Sequence, residues 1–323
     1  MRAIRIEQQG GPEVMRLVDV ETPAPGAGQI RVVQHAIGVN FLDCYQRGGV
    51  YPLQTPSGIG QEGAGVVDAI GDGVTGFAIG DRVAYCSGSI GAYAEAHAVN
   101  AARTVKLPSH VSFEIAAASL LKGMTARYLL RKTFRVERGH TILIHAAAGG
   151  VGQIATQWAK HLGARVIATV GSDAKVDIAR ALGADHVIVS SREDIAVRVR
   201  ELTDGIGVDV VYDGVGKDTW DASLDSLPKR GMMVSYGNAS GAVPMFEPLL
   251  LARKGALFFT RPGLEHYTDT REALDETAAD LFDVIASGVV KIAAPTRYAL
   301  ADAVQAHRDL EARKTTGSLV LAP

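Results

Sequence analysis

The chain has 323 residues, enough for two domains with sizeable cores, and a formal net charge of −2 with 47% hydrophobic and 21% charged residues. That balance excludes a disordered chain, and there is no basic stripe of the kind that coats nucleic acid. The two cysteines, Cys44 and Cys86, are too few for a disulfide framework or a thiolate zinc cluster.

The N-terminal run Met-Arg-Ala-Ile-Arg-Ile-Glu alternates charge with apolar side chains as a half-exposed strand does, and lacks the apolar centre of a signal peptide. No uninterrupted apolar run is long enough to cross a bilayer, so a cytoplasmic address is expected. Up to about residue 118 the pattern predicts strands at 2–7, 29–38, 63–70, 82–87 and 92–99. Pro- and Gly-rich stretches such as Thr22-Pro23-Ala24-Pro25-Gly26 and Gly71-Asp72-Gly73 separate them. Ser112 is the predicted N-cap of an alanine-rich helical segment through Ala118, and 119–126 leads into a second helix ending near Lys132. The crossing between domains is placed here.

The pattern then changes. Ile142-Leu143-Ile144 is a buried β-branched run that ends in His145-Ala146-Ala147-Ala148-Gly149-Gly150-Val151-Gly152, after which apolar residues recur at helical spacing through Val151, Ile154, Ala155, Trp158, Ala159 and Leu162. A strand, a tight turn and a helix follow from this. Side chains at Gly149 or Gly150 would hold the backbone off a pyrophosphate, Gly152 lets the helix press on its strand, and the helix N-terminus offers N–H groups and a positive dipole end to phosphates. Leu162-Gly163 closes the helix and 164–170 supplies a second strand, completing a βαβ unit of about thirty residues.

At the end of that second strand an NAD-specific site places an acidic residue on the ribose 2′-hydroxyl. Gly171 and Ser172 instead leave room for a 2′-phosphate, Ser172 can donate to it, and Lys175 can neutralise it, which favours NADPH. The same residues admit another assignment, with Lys175 a solvated helix lysine and Asp173 either the ribose ligand or the N-cap of the next helix.

Helices at 174–182, 193–202 and 219–227 alternate with strands at 186–189, 208–212, 232–235 and 257–260, the pattern of a doubly wound parallel sheet. Glycines fall at predicted carboxyl ends of strands, so Gly214 and Tyr236-Gly237-Asn238 are expected to line the nicotinamide half of the site. The tail reads as helices at 270–286 and 301–311 with strands near Val290 and at 318–321, and is expected to cross back to the first domain. Arg313-Lys314-Thr315-Thr316-Gly317 would then approach an interdomain cleft.

Over essentially its whole length the chain resembles the zinc-free, zeta-crystallin-type quinone oxidoreductases of the medium-chain dehydrogenase/reductase superfamily. The markers are Gly10-Gly11-Pro12-Glu13-Val14, Asn40-Phe41-Leu42-Asp43 with Tyr45, Gly60-Gln61-Glu62-Gly63-Ala64-Gly65, the 145–152 turn, Tyr236-Gly237-Asn238 and Gly317-Ser318. The resemblance implies a GroES-like catalytic domain over 1–120, an NADPH-binding Rossmann domain over 121–262 and a return to the catalytic domain over 263–323. Zinc-dependent relatives use a cysteine where Asn40 stands, a histidine at Gln61 and a further cysteine near Lys122. An amide and an ammonium cannot replace thiolates on zinc, so no metal site is expected. Without a Lewis acid the substrate must accept hydride readily by itself, as quinones and electron-poor conjugated carbonyls do.

By the same resemblance, Asn40 and Tyr45 line the nicotinamide and are the catalytic candidates, and Tyr128 packs on the cofactor. Gly149, Gly150, Val151 and Gly152 hold the pyrophosphate, and Gly171, Ser172 and Lys175 face the 2′-phosphate. Gly214, Tyr236, Gly237, Asn238, Ala239, Thr260, Arg261 and Arg313 add cofactor contacts. Relatives often set a tyrosine against that phosphate where Ser190 aligns; Ser190 lacks the contact unless Arg192 reaches in. Simpler roles stand beside these: Asn40 as a turn residue, Tyr45 and Tyr51 as wall residues, Glu62 as a loop anchor, His145 as a satisfied core histidine and the cysteines as buried spectators.

The expected activity is zinc-independent hydride transfer from NADPH to a quinone, with the proton drawn from solvent or from Tyr45. A reductase of α,β-unsaturated carbonyls or enoyl thioesters is the alternative on the same fold, and an NADPH-binding structural or RNA-binding protein the alternative outside catalysis. The net charge and the lack of an aromatic–basic stripe argue against RNA. A homodimer is expected through an exposed edge strand near 256–260.

Overall fold

A computed structural model describes residues 1–323. In chain order its elements begin with β1 (Arg2–Ile6), β2 (Arg16–Asp19), β3 (Gln29–Val39), α1 (Phe41–Gly48), β4 (Ser57–Gly58), β5 (Glu62–Ile70), β6 (Arg82–Tyr85), β7 (Ala96–Asn100), β8 (Thr104–Lys106) and α2 (Phe113–Tyr128). They continue with β9 (Thr141–Ile144), α3 (Gly150–His161), β10 (Arg165–Val170), α4 (Val176–Ala181), β11 (His186–Val189), α5 (Ile195–Leu202), β12 (Val210–Asp213), α6 (Trp220–Asp225), β13 (Met232–Ser235), α7 (Leu249–Arg253) and β14 (Phe258–Thr260). The chain ends with α8 (Arg271–Ala286), β15 (Thr296–Ala299), α9 (Ala303–Glu311) and β16 (Leu319–Ala322).

Two compact units result, one of 1–124 with 268–286 and 292–323, the other of 125–267 with 287–291. The first contains a three-stranded sheet ordered β2-β1-β4 and a seven-stranded sheet ordered β15-β16-β3-β5-β6-β8, with β7 also on β3. Only β15 and β16 run parallel in the larger sheet. Ile4, Ile6, Ile30, Val32, Ile37, Val67, Val83, Leu319 and Leu321 form its core. Each such side chain contributes about 1.5–3 kcal/mol by leaving water.

The second unit is a six-stranded parallel sheet ordered β11-β10-β9-β12-β13-β14. Numbered within the unit, that order is 3-2-1-4-5-6, which reverses direction between β9 and β12 and makes that junction the switch point where doubly wound sheets take ligands. Leu143 is in register with Ile167 on one side and Val211 on the other, and Val211 with Met233. These four pack with Val199, Trp220 and Leu224 as one cluster.

Four expectations need correction. The helical stretch 113–128 is one helix and not two, followed by a π-helical turn at Leu129–Thr133. Gly123 does not break it: a Cβ there would lie 2.4 Å from a Leu281 methyl, so the glycine serves close packing on α8. There is no strand near Val290. That residue is buried, and the backbone of Lys291 is satisfied by the Gln157 amide, which both donates to its carbonyl (3.2 Å) and accepts from its N–H (3.0 Å). The strand lies later, at β15. Finally, the strand expected over 92–99 is shifted to β7, and Phe41–Gly48 is helical where only a turn at Asn40 was expected.

Candidate active site

The switch point is built from small residues. After β9, Ala146 takes a left-handed backbone (φ 51), and the Gly149 N–H bonds back to its carbonyl at 2.8 Å. A Cβ on Gly152 would sit 2.4 Å from that same carbonyl oxygen, so only glycine lets α3 approach the turn this closely. No side chain caps α3, whose N-cap is Gly149. The first-turn N–H groups of such a helix have no partner within it and present a positive end to an anion, which fits a pyrophosphate across Gly150, Val151 and Gly152. His145 is fully buried between the hydroxyls of Thr169 (3.1 Å) and Ser223 (3.0 Å), and burial lowers its pKa. It is a satisfied core histidine.

At the carboxyl end of β10, a Cβ on Gly171 would meet nothing within 4 Å, so this edge is open. Ser172 follows as the N-cap residue of a short 3-10 turn containing Asp173 and Lys175, and its hydroxyl makes no cap bond. Asp173 caps no helix. Its Oδ1 accepts from Arg192 Nε at 3.1 Å and Nη2 at 2.8 Å, and this bond lowers its pKa. The Ser190 hydroxyl donates to the Val170 carbonyl at 3.2 Å and adds nothing to the edge.

On the other side of the switch, Asp213 closes β12 as a fully buried anchor, accepting from the N–H groups of Val215 and Gly216 and from the hydroxyls of Thr219 and Ser223 at 2.7–2.9 Å. Gly214 and Gly237 are present for packing, because a Cβ on Gly237 would fall 2.4 Å from the Gly214 carbonyl and one on Gly214 2.8 Å from the Tyr236 ring. Their closeness brings Tyr236, Gly237, Asn238 and Ala239 to the end of β12, with the Ala239 N–H on the Gly214 carbonyl at 3.2 Å. Thr260 ends β14, and Arg261 beyond it donates to the Ser235 carbonyl at 2.9 Å. Tyr128 stacks on Tyr267 with centroids 4.6 Å apart and rings within 8° of parallel.

In the first unit the sequence candidates meet a cluster that was not anticipated. Asn40, the residue before α1, has both ends of its amide engaged: Oδ1 accepts from Lys122 Nζ at 2.6 Å and Nδ2 donates to Glu62 Oε2 at 2.7 Å. Glu62 is fully buried, and its other oxygen accepts from the Leu121 N–H at 2.8 Å, which makes it the loop anchor the sequence allowed. Lys122 is only 7% exposed and completes the triad with Val39 O at 3.4 Å and Glu62 at 3.5 Å. An ammonium can only donate and a carboxylate only accept, so the orientation of the amide follows from its partners.

A second chain of bonds leads away from the Asn40 backbone, whose N–H donates to Asp43 Oδ2 at 2.8 Å, a carboxylate oxygen that also accepts from the Tyr93 hydroxyl at 2.9 Å. Tyr93 lies 2.9 Å from His307 Nε2, and Arg47 approaches His307 Nδ1 at 3.2 Å. A guanidinium cannot accept, so Nδ1 is the acceptor and Nε2 carries the hydrogen; burial and Arg47 push the His307 pKa down to about 3. Tyr45 meets Tyr51 edge-on at 5.5 Å. Arg313 follows α9 with φ 58. Cys44 and Cys86 are buried and unpaired with each other.

The fold is that of the medium-chain dehydrogenases and reductases. Residues 26–109 match the alcohol dehydrogenase GroES-like domain and residues 150–283 the zinc-binding dehydrogenase family. The chain is 50% identical over 323 residues to a quinone oxidoreductase of Pseudomonas aeruginosa, spanning 100% of this chain and 99% of that one. It is 45% identical over 325 residues to a 2-haloacrylate reductase of a Burkholderia species, spanning 98% of each. A crystal structure of Escherichia coli quinone oxidoreductase complexed with NADPH superimposes with a TM-score of 0.98 at 48% identity, covering 100% of both chains. At such identity over its whole length the chain belongs to the quinone oxidoreductases of that superfamily, and it is an oxidoreductase.

Proposed function

We propose that the protein is an NADPH-dependent, zinc-independent quinone reductase that passes hydride to a quinone, acting in the cytoplasm as a homodimer. The cofactor reading is carried by the uncapped start of α3 beside the open, cation-bearing end of β10. NADPH, when bound, supplies the hydride from nicotinamide C4. This chain's residues have the tasks of holding and orienting. Gly150, Val151 and Gly152 would take the pyrophosphate, Ser172 and Lys175 the 2′-phosphate, and Tyr128, Gly214, Tyr236, Gly237, Asn238, Ala239, Thr260, Arg261 and Arg313 the rest of the dinucleotide.

Asn40 would offer its remaining Nδ2 hydrogen at the nicotinamide end, fixed in orientation by Lys122 and Glu62. Tyr45 is the candidate to supply a proton to the reduced quinone. The Lys122 ammonium supports zinc independence, because it places a fixed positive charge on Asn40 and Glu62 where a zinc-dependent relative needs thiolate. Catalysis would then rest on positioning two flat π-systems against each other.

The 2-haloacrylate reductase relative favours a second reading, in which the acceptor is an electron-poor conjugated carbonyl. Nicotinamide oxidation measured with 1,4-benzoquinone, 9,10-phenanthrenequinone and cyclohexenone, with NADPH and NADH, before and after EDTA, separates the two. NADPH-preferring, EDTA-insensitive quinone turnover is expected. Turnover of the enone alone would replace quinone by conjugated carbonyl, and loss of activity on chelation would overturn zinc independence.

A further inference from the structure

We infer that Arg192 selects the phosphorylated dinucleotide in this chain, by covering the Asp173 carboxylate and offering its remaining guanidinium hydrogens to a 2′-phosphate. The inference rests on the NADPH reading above and adds to it the residue that decides specificity.

Asp173 lies three residues past the end of β10, between Ser172 and Lys175, at the edge where a carboxylate accepts hydrogen bonds from an unphosphorylated ribose. A bare carboxylate there would repel a dianionic phosphate and favour a hydroxyl. It is not bare. Two nitrogens of Arg192 converge on its Oδ1, at 3.1 and 2.8 Å. Backbone bonds hold the arginine over this edge: the Ser190 N–H bonds to the Val170 carbonyl at 2.9 Å, pinning the end of β11 to the end of β10, and the Arg192 N–H bonds to Val189 O at 3.1 Å. Glu193 is the other carboxylate near the guanidinium, at 3.7 Å from Nη1.

Several features suit the pair to a ligand. The Arg192 and Asp173 side chains are 57% and 71% exposed, so the bond between them holds little net energy and the guanidinium can turn at small expense. Nothing stands within 4 Å of the Cβ position at Gly171, so there is room beside the pair. Ser190 spends its hydroxyl on Val170 O and leaves the space to the longer side chain. A guanidinium has five hydrogens, and the two nitrogens already bound leave donors suited to phosphate oxygens.

The consequence is a signed expectation that a merely structural pair would not produce. Removing Arg192 deletes a phosphate ligand and also uncovers a carboxylate, so NADPH and NADH should respond differently. Dissociation constants for both nucleotides are measured by calorimetry on purified wild type, Arg192→Ala and the double variant Arg192→Ala/Asp173→Asn. Thermal melting confirms that the exposed substitutions leave the fold intact. Arg192→Ala should weaken NADPH about tenfold or more while NADH binds as well or better, and the added Asp173→Asn should restore part of the NADPH affinity. A wild type that prefers NADPH beside an Arg192→Ala variant with the same preference overturns the inference alone. A wild type that binds both nucleotides equally overturns the NADPH reading and the inference with it.

Discussion

Because Lys122 can only donate and Glu62 can only accept, the Asn40 amide is clamped between opposite charges with its remaining hydrogen pointing one way. The clamp is almost dry, since Glu62 is fully buried and Lys122 nearly so. Removing one charge from such a group leaves the others without compensation, which costs of order 3 kcal/mol. Lys122→Met should therefore lower the urea midpoint markedly with little change in slope. A variant as stable as wild type would show that the ammonium is not held there in solution. The chain order did not reveal this triad. Asn40 and Lys122 could be singled out as standing where zinc-dependent relatives carry ligands, and Glu62 as a loop anchor, but Lys122 is 82 residues from Asn40 and 60 from Glu62, and only the folded β3, β5 and α2 bring them together. The glycine turn was legible because its constraint is local: the residues that must be small are neighbours of the strand they serve.

The element that presents Asn40 is α1, and its first turn has an unusual electrostatic character. Asp43 accepts from the Asn40 N–H, yet burial pushes its pKa up to about 7 from a usual 3.8, with Glu62 nearby raising it further and Lys122 opposing. A raised carboxyl pKa favours the native state while the group is protonated, and that contribution is lost as the pH rises from about 4 through about 7. Asp43→Asn removes this titration. The melting temperature of the variant relative to wild type should then climb between about pH 4 and about pH 7, and a difference that stays flat would show that Asp43 keeps one protonation state. Elements with clear periodicity were read well: β11 and β13 fall where their β-branched runs predicted. The helix Phe41–Gly48 is not legible in the sequence, since Phe-Leu-Asp-Cys-Tyr-Gln-Arg-Gly has no continuous apolar stripe and its signal is the Asn40–Asp43 cap. The Val289-Val290 doublet misled in the opposite sense, being apolar for packing without a strand partner.

At the scale of the molecule, the parallel sheet ends in β14, where Phe258 is 57% exposed at an edge with Leu249 and Met245 also open to solvent. We expect this edge to pair with a second copy, and Phe258→Glu to shift the protein from dimer to monomer in light scattering after size exclusion. A dimer that survives the charge would move the interface elsewhere.

The antiparallel unit is assembled from three separate stretches of chain, whereas the parallel sheet comes from the continuous run 125–267. A ribosome therefore releases all of the nucleotide-type sheet before β16 exists, and that sheet can complete its hydrogen bonding while β3, paired with β5 on one side, still lacks its β16 partner over Ile37, Gly38 and Val39 on the other. Contacts closed across so long a sequence separation carry a high loop-closure cost, and the edge of β3 stays open until they form. Since Val39 leads directly into Asn40, a strand made after the whole parallel sheet secures the backbone that positions the Asn40 amide. A nascent chain can thus acquire its glycine turn before β16 has been made, but secures the strand that leads into Asn40 only afterwards.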